Sequence, residues 1–274
     1  MITLLSDFGL QDAYVAVMRG VIASIAPGKP TCDLTHQIPP QDILAARFNL
    51  MMAYPHFPEG TVHLAVVDPG VGSNRRAIAL QYPNGFLVGP DNGLLGDLFA
   101  AHLAPSITAV SLTNAQYWRV NRPSHTFHGR DIFAPAAAHL ANGVPITALG
   151  DRIDLDTLVQ PNLPPFRLVN SQSTAQRSRQ YAGSLQYIDR FGNLISNIPG
   201  QAVSGQSWQV ELKTAHRRID FTGVKTYADV PIGSLCAVIG GHGWLEIACN
   251  CGSAAKALEG MAEVGTLLSL TFCD

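Results

Sequence analysis

Asp68 heads the segment Asp68-Pro69-Gly70-Val71-Gly72-Ser73-Asn74-Arg75-Arg76, directly after a strongly apolar run, Val62 to Val67. One proline and two glycines force a tight turn there and hold the carboxylate at the end of a strand. Arg75 can pair with it, and a one-residue shift in the loop would give that role to Arg76. His128 lies in Thr126-Phe127-His128-Gly129-Arg130-Asp131, just before an apolar helical stretch, where an imidazole can reach a pocket. A carboxylate, a guanidinium and an imidazole together can draw a proton from water and stabilise the hydroxide that forms. Each also has a plain structural reading: Asp68 as a turn residue, His128 as a solvated side chain, Asp131 as a helix cap paired with Arg130. Neither G-x-G-x-x-G nor Gly-Lys-Ser/Thr occurs, so this glycine-rich loop is not a phosphate loop.

Asp7 and Asp12 flank Phe8-Gly9. Asp12 can cap the helix that follows, and a carboxylate in this loop can accept from both vicinal hydroxyls of a ribose. Pro90-Asp91-Asn92-Gly93 reads as a turn followed by a cap. Further on, Asp189-Arg190-Phe191-Gly192-Asn193-Leu194-Ile195-Ser196-Asn197 sets polar groups around a glycine, as a β-turn or as a loop for a base or an amino-acid head group. Gly240-Gly241-His242-Gly243-Trp244 exposes backbone amides beside an aromatic ring, or is an ordinary glycine turn. Cys249-Asn250-Cys251 has no second cysteine pair nearby and reads as structural rather than metal-binding.

These residues need elements to place them. Through about residue 160, apolar β-branched runs alternate with helical patterns, which predicts an α/β domain with a mainly parallel sheet. Strands are expected at Ile2 to Leu5, Cys32 to Leu34 and Val62 to Val67. Helices are expected from Asp12 to Pro27, with Tyr14, Met18, Val21, Ile22 and Ile25 on the buried face, from Asp42 to Tyr54, from Asp91 through Leu103, and over Ile132 to Leu140. Parallel strands deliver their loops to one sheet edge, so the Asp7, Asp68 and His128 segments should converge there. A break at Gln160-Pro161-Asn162-Leu163-Pro164-Pro165 and a polar stretch to Arg179 predict three parts: an α/β domain over 1–165, a linker over 166–182, and a smaller antiparallel β-barrel domain over 183–274. In that last part, short alternating runs at Gly183 to Ile188, Trp208 to Leu212, Ile219 to Thr222, Leu235 to Ile239, Trp244 to Ala248 and Thr266 to Phe272 supply the strands.

Composition narrows the partners. Eighteen basic residues against twenty acidic ones, with no Lys/Arg run, argue against nucleic acid and anionic membranes. No apolar run reaches the roughly 20 residues that span a bilayer, and the start MITLLSDFG carries no basic n-region, so a cytoplasmic protein with a small-molecule partner is expected. Five scattered cysteines suit free thiols.

Taken together, Ser6 to Gly9, Val67 to Gly72 with Arg75, Phe127 to Pro135, Asp189 to Asn197 and Leu245 to Ala255 occur in an order and spacing that resembles the S-adenosylmethionine hydroxide adenosyltransferase family, a relative of the fluorinating and chlorinating enzymes. The resemblance covers nearly the whole chain. It implies hydrolysis of S-adenosylmethionine at C5′ to adenosine and methionine, without a metal or a cofactor. It also implies a homotrimer whose active sites lie between the N-terminal domain of one subunit and the C-terminal domain of its neighbour. On matching positions, Asp68, Arg75 and His128 are the water-activating trio, Asp12 the ribose ligand with Asp7 in the same loop, Asp189 the contact to the methionine amino group, and Asn193 a base contact. The chain departs from the family at Gly241-His242-Gly243-Trp244, where Ser-Ser-Gly-Tyr is common; Trp244 keeps an aromatic wall. A halogenase would have to hold its anion beside Asp68, which repels it. A non-catalytic sensor of S-adenosylmethionine or adenosine would not need the trio, and a metal-dependent hydrolase would need a ligand cluster that the sequence lacks.

Overall fold

The computed structural model describes residues 1–96, 98, 106–169, 180–203, 207–214 and 217–273, and the chain divides into two compact units, Met1–Asn162 and Leu163–Asp274. The first unit is α/β. Strands β1 (Ile2–Ser6), β2 (Thr31–Thr35), β3 (Thr61–Val66), β4 (Ala77–Tyr82), β5 (Gly85–Pro90), β6 (Thr108–Ser111) and β7 (Asp151–Ile153) form one sheet in the order β2-β1-β3-β5-β4-β6-β7. The pairings among β2, β1, β3 and β5 are parallel, and those of β4 with β5, β6 with β4, and β7 with β6 are antiparallel. The sheet is thus mixed. Its antiparallel half grows from the β4–β5 hairpin, which Pro83-Asn84-Gly85 between two apolar runs announces.

Helices α1 (Tyr14–Ile25), α2 (Ile43–Ala53) and α3 (Ala134–Ala141) pack on this sheet. Helix α1 buries Val15, Met18 and Ile22, at steps of three and four residues. Asp42 caps α2, its carboxylate accepting from Ala45 N at 2.8 Å. Asp12 does not cap α1: the capping position is Ala13, without a side-chain bond, and Asp12 lies outside it. Alanines 134, 136, 137 and 138 of α3 are buried and let this helix sit close to Leu4, Leu64 and Val66. The stretch expected as a helix from Asp91 to Leu103 is not helical over 91–96, and 97 and 99–103 lie outside the described residues. Asp91 is no helix cap either. Its carboxylate accepts from Arg76 Nε at 2.7 Å and from Val159 N at 2.9 Å, pinning the edge of the unit instead.

In the second unit, β8 (Arg167–Val169), β9 (Gln180–Ile188), β10 (Leu194–Pro199), β11 (Ser207–Lys213), β12 (Arg218–Thr222), β13 (Leu235–Ile239), β14 (Trp244–Cys249) and β15 (Leu267–Cys273) form an antiparallel sheet, ordered β12-β11-β15-β9-β10-β14-β13 with β8 on β9. A bridge from Gly223 to Ala237 brings β12 toward β13, so the sheet is a nearly closed barrel. Leu185, Leu194, Val210, Leu245, Ile247 and Leu270 fill it. The segment expected to be a linker differs at its ends, where β8 and the start of β9 pair with each other; 170–179 lie outside the described residues. Strand β10 was hidden inside the Asp189–Asn197 motif, whose polar Ser196 and Asn197 mask its apolar positions.

Candidate active site

Asp68 leaves the end of β3, and the chain then coils back on itself. Val71 N donates to Asp68 O at 3.2 Å, Ser73 N to Gly70 O at 3.1 Å, and Arg75 N to Ser73 Oγ at 3.3 Å. Gly72 has φ +81, and a Cβ there would meet His125 O at 2.5 Å, so glycine alone lets this loop and the His125 segment lie together. The coil returns Arg75 onto Asp68. Arg75 Nε lies 2.9 Å from both carboxylate oxygens, Nη2 reaches Oδ2, and the two side chains are only 10% and 6% exposed. The same Nη2 lies 2.8 Å from His128 Nδ1. The guanidinium carbon sits 5.3 Å from the centre of the Phe133 ring, which fixes the far side.

A guanidinium only donates, so His128 Nδ1 is the acceptor and its proton sits on Nε2. Burial, and then the charge of Arg75, lower the His128 pKa from the usual 6.5, which keeps this ring neutral. Arg76 has no part in the trio: it bonds Asp91 and Thr157. Asp131 does not cap a helix. It is fully buried inside a π turn, Gly129–Phe133, that runs into α3, and it holds the His128 loop by accepting from Arg130 Nε at 2.7 Å, Ser124 N at 2.9 Å and Arg119 Nη1 at 3.2 Å. The Arg130 bond above all holds its carboxyl down to about 2.

The Asp7, Asp68 and His128 segments converge as expected, around a cleft of about 400 Å³. Asp7 lines it, with one oxygen accepting Gln41 N at 2.8 Å. Asp12 does not line it; its side chain is exposed and makes no hydrogen bond among the described residues. Phe8, Tyr14, Gln41 and Phe127 also line the cleft. Sequence reasoning gave Tyr14 to the buried face of α1, yet it is 48% exposed. Gln41, at φ +67 beside Pro39-Pro40, signals itself only through that backbone.

On the second unit, Asp189 spends its carboxylate on its own turn, accepting Phe191 N at 2.9 Å, Asn193 N at 2.8 Å and Asn193 Nδ2 at 3.0 Å. Asn193 borders a shallow hollow with Phe191, Tyr227, Asn250, Ser253 and Lys256, which neither Asp189 nor Trp244 lines. Trp244 begins β14, and its N–H donates to His242 Nδ1 at 3.1 Å, while His242 Nε2 meets the buried Glu246 at 2.7 Å. His242, in the place of the usual serine, thus fastens the loop to β14. Among the described residues, no group of three or more His, Cys, Asp or Glu side chains is placed to hold a metal ion, and no helix is long and apolar enough to cross a membrane.

Models of the N-terminal and C-terminal domains of SAM hydroxide adenosyltransferase match residues 2–150 and 183–263. The chain belongs to the SAM hydroxide adenosyltransferase family. A family relative, the (R)-S-adenosyl-L-methionine hydrolase of Thermus thermophilus, is 41% identical over 94% of this chain and 96% of its own. The crystal structure of an uncharacterized conserved protein from Thermotoga maritima superposes with a TM-score of 0.83 at 32% identity, covering 98% of this chain and 100% of that one. The fluorinase of an Actinoplanes species is more distant, at 28% identity over 91% of each chain.

Proposed function

We propose that this protein is an S-adenosylmethionine hydrolase that releases adenosine and methionine by attack of water at C5′. The observation that carries the proposal is the continuous Asp68–Arg75–His128 hydrogen-bond chain at the cleft. A water held there meets an acceptor in Asp68 and a donor in His128 Nε2–H, both fixed in place by Arg75 behind them. As its oxygen bonds to C5′, the C5′–S bond breaks with its electron pair passing to sulfur, which leaves as a neutral thioether. The water proton goes to Asp68. His128, whose Nδ1 is occupied by Arg75 and whose Nε2 already carries a proton, acts as donor to the developing hydroxide rather than as base. Charge is cancelled as the bond breaks, which a partly dry cleft favours. A halide would meet the Asp68 carboxylate in the same place, which favours water.

Asp7 receives the ribose hydroxyls in this reading, since it lines the cleft and Asp12 does not. Asp189, Asn193 and Trp244 contribute to the site from a neighbouring subunit of a homotrimer, and Asp189 acts there mainly by shaping the Asn193 turn. No metal or cofactor is assigned to the reaction. The free thiols of Cys32, Cys249 and Cys251 suit a reducing, cytoplasmic setting. Incubation of the chelator-treated protein with S-adenosylmethionine in ¹⁸O-water, with and without chloride, tests the chemistry by mass spectrometry. Labelled adenosine with methionine is the expected outcome. Halogenated nucleoside, or intact substrate that is nevertheless bound, would replace this reading by a halogenase or a sensor. Light scattering tests the trimer.

A further inference from the structure

Three aromatic rings stand together on the wall of the cleft. Phe8 and Tyr14 have centroids 5.5 Å apart at 46°, Phe8 and Phe127 5.9 Å at 80°, and Tyr14 and Phe127 5.2 Å at 88°. All three line the space that Asp68 and His128 share. Phe127 meets Phe8 and Tyr14 edge to face and Phe8 meets Tyr14 at a tilt, so three ring quadrupoles, each negative on its face, are grouped along one side of the cleft. Phe127 already receives one cation, the Arg130 guanidinium, whose carbon lies 5.3 Å from its centroid. Core packing does not account for Tyr14, which stays 48% exposed at the start of α1 while Val15, Met18 and Ile22 form the buried stripe.

The charges of the cleft point the same way. Asp68 and Arg75 cancel each other, the neutral His128 adds nothing, and the Asp7 carboxylate is left as a surplus negative charge. An anionic cleft lined by aromatic rings fits a soft, poorly hydrated cation.

Resting on the hydrolase reading, we propose that Phe8, Tyr14 and Phe127 form an aromatic wall that selects the sulfonium of S-adenosylmethionine over the neutral thioether of its demethylated counterpart. The wall attracts the positive charge in the bound substrate. That charge fades as the C5′–S bond breaks, so the wall stabilises the ground state more than the transition state. Its loss should therefore raise KM and kcat together, with kcat/KM falling less than substrate binding weakens, and the neutral thioether product is held less firmly than the substrate.

The test uses the purified full chain and two ligands it cannot hydrolyse: sinefungin, with an ammonium-bearing carbon in place of the sulfonium, and S-adenosylhomocysteine, with a neutral sulfur. Calorimetry gives the ratio of their Kd values. The wild type should prefer the cation, and Tyr14→Leu and Phe8→Leu should each cut that preference on the order of tenfold, chiefly by weakening sinefungin. Tyr14→Phe, which keeps the ring, should retain it. Tyr14 is exposed enough for its variants to fold, and their KM for S-adenosylmethionine should rise in proportion. A cation preference that survives both leucine variants, or that is absent from the wild type, overturns the wall. Wild-type protein that leaves S-adenosylmethionine intact overturns hydrolysis, and the Kd ratio then still decides on the wall by itself.

Discussion

The cleft of the first unit and the Asp189 turn of the second both present an aspartate beside a glycine loop, and they use it in opposite ways. Asp68 is bound to a side chain seven residues away and, through it, to one 53 residues further along. Among the described residues, the Asp189 carboxylate is bound only to backbone and side-chain groups within four residues. A carboxylate that satisfies itself locally makes a turn. One that reaches across the fold to a guanidinium and an imidazole, in a cleft, gathers groups that no turn requires.

Substitutions can break that contrast. Asp68→Asn keeps the shape but removes the proton acceptor, so kcat for adenosine formation should fall by about 10² to 10⁴-fold, with ligand binding little changed. A rate within threefold of wild type would remove Asp68 from the chemistry. Arg75→Ala leaves a buried carboxylate unpaired and should cost about 3 kcal/mol in urea denaturation, beyond the loss of activity. The trio is also expected to fail in acid. A proton on His128 Nδ1 displaces the Arg75 bond, so kcat/KM should hold above the ordinary imidazole value of 6.5 and fall as pH drops through the lowered His128 pKa. A limb lying above 6.5 would contradict the neutral ring.

Smaller effects sharpen the comparison from the other side. Asp189→Ala removes three local bonds and should destabilise the second unit by about 1 to 2 kcal/mol, read as a lower melting temperature, with kcat reduced far less than in Asp68→Asn. Asp12→Asn should change KM by less than about threefold, because this exposed side chain has no partner to lose among the described residues. If Asp12→Asn raised KM by more than Asp7→Asn did, the ribose would belong to Asp12 after all.

Much of this was legible in residue order. Apolar runs fixed β1, β2 and β3, the three- and four-residue rhythm located α1, and helical stretches were placed at α2 and α3, because these are local preferences that tertiary context left alone. Glycines and prolines after β3 signalled a turn that would hold Asp68 at the sheet edge. The antiparallel half of the first sheet was less visible, since β6 and β7 are short and gain their stability from neighbours distant in sequence.

Sequence alone therefore determined which residues could do chemistry and roughly which elements carry them. It could not decide between Arg75 and Arg76, whose neighbouring positions are chemically identical. Only the fold, by sending Arg76 to Asp91 and curling Arg75 back onto Asp68, separated them. Nor could it fix the proton on His128, give Asp131 its task of holding the loop, or turn Tyr14 out of the core stripe into the cleft. Those outcomes depend on what lies opposite a side chain in space, and hydrogen-bond partners many residues apart leave no periodic trace in the chain.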